Sequence, residues 1–488
     1  MSLGEKTVKG VLWNYMSFAS GKFLTFISTI LLARLLVPEQ FGLVALALLA
    51  IQYLDAIGDL GVSEALVYQR DNIERAANVA FIISLFSGFG LAALAAAASP
   101  LIANFYGEPD LIPMLQVLAA TLALNGLGQT QLALLTKNLK FRQKLLPDLS
   151  RSLIKGAASI GFALMGFGAW SLIWGQVAGT LTATVVLWAT SSWRPRLEWD
   201  AGLARKMVSY GGQIVLIHMI SVVWATADYL IVGKLLGRTD LALYQQSFRV
   251  TDLLIINIAF VVGKVLFPSY AKMNHDQDSL QKGFLTTIRY LSLVTLPLSV
   301  GIAAVAPLFV STVFGPNWLA MTPALQLLAL RAGLSTLSFN SGHMLKAIGR
   351  PGIINYQMMV KLPLLIGVVF LTVPYGFVAV AAGQVGVTLF SMMLDFITMR
   401  WLIKVPLTKI WFQIWPSLVS AIVMAGAVWA VVSATPLDLQ LVGLLGATGT
   451  GIIVYAAMIW FINRDLCLDG LRWLSKLIQP KKPALAKN

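Results

Sequence analysis

Eight basic residues stand inside long apolar runs of this chain: Lys22, Arg151, Lys155, Arg249, Lys264, Arg289, Arg331 and Lys361. A cation at the centre of a membrane helix costs about 2.5–3.5 kcal/mol on insertion scales. Each must therefore pair with a carboxylate, reach the edge of the apolar layer with its own side chain, or meet an anion. Lys264 and Arg289 lie close enough to the end of a run to reach water along their methylene stems. At about 1.5 Å per residue, Lys22, Arg249, Arg331 and Lys361 count to mid-depth, while Arg151 and Lys155, four residues apart, count to the inner half. Asp252 is the carboxylate at central depth; Asp55, Asp59 and Asp395 count to the inner third and Asp228 to the outer end. Such an excess of cations suits an anion with several oxygens, which an arginine grips through two hydrogen bonds at once. Asp55 and Asp252 suit another task, releasing a proton or coordinating sodium as access alternates between the two sides. Each cation is equally well read singly as half of a packing pair, such as Arg249 with Asp252. For Asp55 and Asp59 a helix-end role is the stronger reading.

The elements that hold these residues follow from composition. Of 488 residues 58% are hydrophobic and 12% charged, with a mean hydropathy of +0.78. A soluble domain is usually about a quarter charged, so this is a polytopic membrane protein. Fourteen runs of spanning length, from 10–35 to 438–462, predict an all-α chain of fourteen transmembrane helices. They are continuous and lack the ten-residue alternation of membrane strands. The first run lacks a small-residue cleavage site and reads as a retained span.

The net charge of +15 is mostly topological. With the N-terminus inside, 25 of the 36 Lys and Arg fall in the even connections and the two termini, and the odd connections hold only Arg34, Lys234 and Arg238. Both termini are thus expected in the cytoplasm, with no nucleic-acid partner. On span 1, Tyr15, Thr25 and Thr29 share the face of Lys22, whereas Ser17, Gly21 and Ser28 form a separate stripe suited to close packing. On span 8, Gln245, Gln246, Arg249, Asp252 and Asn257 fall on one broad face. Trp170, Trp174 and Trp224 offer ring faces to a sugar, and His218 and His343 read as packing. Cys467 is alone, and no metal cluster, nucleotide-binding glycine loop or nucleophile beside a base is present, so an enzyme is not expected and no cofactor is implied.

An internal repeat organises the spans. "LARLLVPEQFGLV" from Leu32 resembles "VGKLLGRTDLALY" from Val232 at an offset of 200, and "GFGAWSLIWGQVAGTL" from Gly166 resembles "PYGFVAVAAGQVGVTL" from Pro374 at an offset of 208. Both place span 1 on span 7 and span 6 on span 12. The prediction is two pseudo-symmetric six-helix lobes, 1–200 and 201–405, facing a central cleft and related by an axis along the membrane normal. Peripheral helices 13 and 14 would occupy 406–465, and a basic tail 466–488.

The stretch "LLARLLVPEQFGLVALA", with "MSLGEKTVKG" before it and "DLGVSEALVYQ" after it, resembles the polysaccharide transporter branch of the multidrug, oligosaccharidyl-lipid and polysaccharide flippase superfamily. The likeness is strongest to Wzx-type flippases. It implies a protein of the bacterial cytoplasmic membrane that moves an undecaprenyl-pyrophosphate-linked oligosaccharide outward by alternating access, for exopolysaccharide or O-antigen assembly, beside polymerase and assembly proteins. The pyrophosphate would be the missing counterion, held by Lys22, Arg249, Arg331, Lys361, Arg151 and Lys155, with proton or sodium coupling at Asp55 or Asp252. A peptidoglycan-precursor flippase, a multidrug exporter of the same superfamily and a non-transporting assembly subunit are the alternatives.

Overall fold

The structure, a computed structural model, describes residues 20–436 and 439–464. Tyr15, Ser17, Cys467, the tail 466–488 and the side chain of Lys264 lie outside the described residues. Among the described residues the regular structure is all helical. A first helix, α1, covers 20–35, followed by α2 (Pro38–Asp55), the short α3 (Val62–Tyr68), α4 (Ile73–Tyr106), α5 (Leu111–Lys137), α6 (Phe141–Leu164) and α7 (Trp170–Thr190). The chain continues through α8 (Ala201–Leu235), α9 (Arg238–Thr251), α10 (Asn257–Met273), α11 (Gln277–Phe309), α12 (Thr322–Ala347), α13 (Gly352–Thr372), α14 (Phe377–Ile403), α15 (Leu407–Ala434) and α16 (Gln440–Ile462). Ten described segments are long and apolar enough to cross a membrane: α4, α5, α7, α8, the α9–α10 run, and those built on α11, α13, α14, α15 and α16. The protein is therefore a multi-pass membrane protein. Lipid offers backbone groups no water, so helices satisfy their own hydrogen bonds.

By packing, the chain divides into two compact units, Met1–Leu243 and Tyr244–Asn488, and the division falls within α9. In the first unit α8, which opens the second repeat copy in the sequence, packs on α2, α3 and α4. Tyr53 of α2 hydrogen-bonds Thr226 of α8 at 2.8 Å. The repeat recurs in the helix breaks. α1 ends at 35 and α2 starts at 38, while α8 ends at 235 and α9 starts at 238. Gly168 and Gly376, matched at the offset of 208, both take positive φ just before α7 and α14.

Ion pairs of the first unit stand near opposite ends of α4. At one end Arg75 pairs with Asp200 at 3.3 Å and Arg196 with Glu74 at 3.5 Å, joining the connections before α4 and α8. Asp200 also caps α8, accepting the Leu203 N–H at 3.0 Å, which holds its carboxyl below the usual range. At the other end Arg238 pairs with Glu108 at 3.0 Å, and Lys234 donates to the carbonyl of Phe105 with its ammonium over that ring.

Candidate functional site

In the second unit α9 runs into a π-helical turn, Asp252–Ile256, before α10 begins. A π turn holds one residue more than an α turn, so the polar face expected on span 8 does not run straight. Gln245 and Gln246 are buried, whereas Arg249 and Asp252 are exposed. Asp252 pairs with Arg331 on α12, whose Nη2 lies 3.5 Å from Asp252 Oδ1. The guanidinium rests on the ring of Phe248, 4.4 Å from its centroid, a cation–π contact that fixes its plane. Arg331 Nε is buried with no hydrogen-bond partner among the described residues.

Lys361 on α13 is held differently. Its Nζ donates to Asp395 Oδ1 on α14 at 2.7 Å, and both side chains are 11% exposed. Nearby, Gln357 of α13 donates to Thr398 of α14 at 2.9 Å, a second tie between the same two helices. Counting along the sequence had put Asp395 in the inner third and Lys361 at mid-depth; in the fold they meet. The surplus of central cations is correspondingly smaller, because Arg331 and Lys361 each face an acid.

In the first unit, three helices join in a polar chain. Asn125 of α5 donates to Asp55 Oδ1 of α2 at 3.0 Å, and its own Oδ1 accepts from Arg151 Nη2 of α6 at 3.5 Å. Asp59 accepts the N–H groups of Gly61 and Ser63 at 2.9 and 3.2 Å and so stands at the start of α3, the helix-end role expected of it. Asp55, exposed at the end of α2, instead meets Asn125. Lys155 lies one turn beyond Arg151, half-buried, beside the seam where Gly175 and Gly179 of α7 press against α6. Lys22 is exposed on α1. The opposite, small-residue side of α1 packs as its stripe predicts, with Gly21 against Ser152 and Ser28 against Gly156 of α6. Trp170 and Trp174 stack on each other with centroids 6.3 Å apart.

The sequence pattern singles out neither Asn125 nor Phe248. Asn125 is a lone amide in an apolar run and carries no charge to draw notice. Phe248 reads as core until Arg331 is seen lying on it.

A family model described as "Polysaccharide biosynthesis protein" matches residues 31–323. The chain belongs to that family. Among its relatives, the succinoglycan biosynthesis transport protein ExoT of Rhizobium meliloti is 24% identical, over 99% of this chain and 98% of its own length. The lipopolysaccharide biosynthesis protein WzxC of Escherichia coli is 23% identical over 72% of each chain. A solved structure of the lipid II flippase MurJ, in an inward closed conformation, superposes with a TM-score of 0.76 at 14% identity, covering 93% of this chain and 99% of that one. At that identity the likeness is one of fold. The polysaccharide biosynthesis family thus places the chain in the flippase superfamily that the "LLARLLVPEQFGLVALA" stretch suggested.

Proposed function

We propose that the chain is an alternating-access flippase that carries an undecaprenyl-pyrophosphate-linked oligosaccharide outward across the bacterial cytoplasmic membrane for exopolysaccharide or O-antigen assembly. In this reading its fourteen spans form two six-helix lobes, with both termini in the cytoplasm. The observation that carries it is Arg331. In a family of polysaccharide biosynthesis proteins, this guanidinium sits midway along α12, lies over the ring of Phe248, contacts Asp252 at 3.5 Å and keeps its Nε buried with no hydrogen-bond partner among the described residues. A pyrophosphate offers the oxygens such a group takes. Lys22 and Arg249, both exposed, are the further contacts proposed for the headgroup, and Arg151 and Lys155 the inner approach to it. Lys361 is proposed as a tie between α13 and α14, since its ammonium is sealed against Asp395.

For the driving force, we propose proton coupling at Asp55. Asn125 suits a carboxyl that changes its proton, because an amide donates to the ionised form and, turned over, accepts from the protonated one.

The test replaces Lys22, Arg249 and Arg331 singly with Gln and measures polysaccharide export at matched membrane expression. Export is expected to fall about tenfold for Arg331→Gln, since removing one charge-assisted contact costs roughly 1.5–3 kcal/mol, and by less for the exposed pair. Normal export from all three variants would overturn the basic-site reading. The MurJ-like fold makes a peptidoglycan-precursor flippase the reading to exclude, and complementation of each pathway separately separates the two.

A further inference from the structure

The two ion pairs of the second unit are built for opposite purposes. Lys361–Asp395 is short, at 2.7 Å, with both partners 11% exposed. Arg331–Asp252 is longer, at 3.5 Å, between a guanidinium 17% exposed and a carboxylate 53% exposed. The basic partner is the enclosed one: its guanidinium carbon lies 4.4 Å from the centroid of the Phe248 ring. The acidic partner is the outward one, and it stands as the first residue of a π-helical turn. π turns concentrate at functional sites, and conversion of one to α-helix rotates the residues on one side of it by about 100° relative to the other.

We propose that Asp252 is a resident, exchangeable counterion of Arg331, which an incoming phosphate-bearing headgroup displaces. This rests on the anion-binding reading of Arg331 and adds the regulation of that site. Asp252 swings away on the π turn while the phosphate takes Arg331 Nη2 together with Nε, the donor that Asp252 leaves unused. Charges balance, because one anionic partner leaves the guanidinium as another arrives. The device answers a problem every transporter of an anion faces. An empty carrier must reorient without an unpaired guanidinium in a dry helix bundle, where a lone charge costs several kcal/mol. Asp252 supplies that neutrality during the empty return step and withdraws when cargo binds. A carboxylate that merely stabilised the bundle would be enclosed on both sides, as Asp395 is.

The experiment uses the full-length protein in lipid nanodiscs, with farnesyl pyrophosphate as the soluble probe and binding read by titration calorimetry. Asp252→Asn removes the competitor without changing the side chain's size, and is expected to tighten binding roughly five- to tenfold. Arg331→Gln is expected to weaken it at least tenfold, and the double variant to match Arg331→Gln. In parallel, multiple-turnover flipping in proteoliposomes is expected to slow for Asp252→Asn even though the probe binds more tightly, because the empty return is impaired. Asp252→Ser takes its place if the Asn variant does not fold, judged by a monodisperse elution peak. If wild type binds the probe and Arg331→Gln weakens it, but neither uncharged variant at 252 binds more tightly, the exchange is wrong and the anion site stands. If wild type does not bind, or Arg331→Gln binds as well as wild type, the anion site itself fails and the exchange with it.

Discussion

Lys361 and Asp395 show how far a residue's depth can be counted from sequence. The sequence puts the end of span 12 at residue 399, yet α14 continues to Ile403, one further turn. That turn moves Asp395 inward from the helix end and level with Lys361 on the neighbouring α13. Span ends are blurred wherever a basic residue such as Arg400 is tolerated at the boundary, so a depth counted from them carries the same error. The pair that results makes a sharp prediction. Lys361→Met leaves Asp395 buried without its ammonium and is expected to destabilise the protein by about 3–5 kcal/mol. The double variant Lys361→Met with Asp395→Leu removes both charges and is expected to recover most of that loss. Thermal unfolding in a mild detergent reads both. Equal melting temperatures for wild type and Lys361→Met would mean that the carboxylate finds another partner or a proton, and that the pair is no tie.

At the scale of helices, small residues decide which elements approach closely. A Cβ on Gly42 of α2 would lie 1.8 Å from the backbone carbonyl oxygen of Arg238, where α8 gives way to α9. Nothing flexible stands there to yield, so Gly42→Ala must push two elements apart. The expected cost is about 2 kcal/mol or more. Gly90→Ala in α4 is the control, because a Cβ there meets nothing within 4 Å; helix propensity alone makes it neutral or slightly stabilising. The comparison by thermal unfolding fails the argument if the two variants behave alike. Much at this scale was legible beforehand. Continuous apolar runs predicted the long helices, the Gly21 and Ser28 stripe predicted the packing face of α1, and the offset of 200 located two helix breaks. The π turn at Asp252 was not legible, since "DLLII" has a composition that any α-helix accepts, and a one-residue change in turn size leaves no mark on hydropathy. The pairing of Arg331 with Asp252, 79 positions apart, depends on how α12 packs beside that turn, which no local pattern encodes.

For the molecule as a whole, the proposed outward transport needs a driving force. Asp55, Asn125 and Arg151 tie α2, α5 and α6 of the first unit together, so the proton on one carboxyl bears on three helices at once. With Asp55 ionised, Asn125 turns its amide N–H to the acid and its oxygen to Arg151. A protonated Asp55 needs the amide oxygen instead, and then Arg151 is left facing an N–H. Protonation therefore breaks the chain at the arginine and loosens α6 from α2, which is the kind of differential contact a coupling ion must make between two states. An imposed proton gradient, acid on the side from which the proton enters, is accordingly expected to speed flipping in proteoliposomes, and a sodium gradient is not. Asp55→Asn holds the site in a permanently uncharged form, so its flipping is expected to be the same with and without the gradient. Arg151→Gln removes the group that senses the switch and is expected to reduce the response to the gradient while leaving some basal flipping. A wild type indifferent to the proton gradient, or an Asp55→Asn variant that still follows it, takes Asp55 out of the driving mechanism and leaves the chain as a brace between three helices.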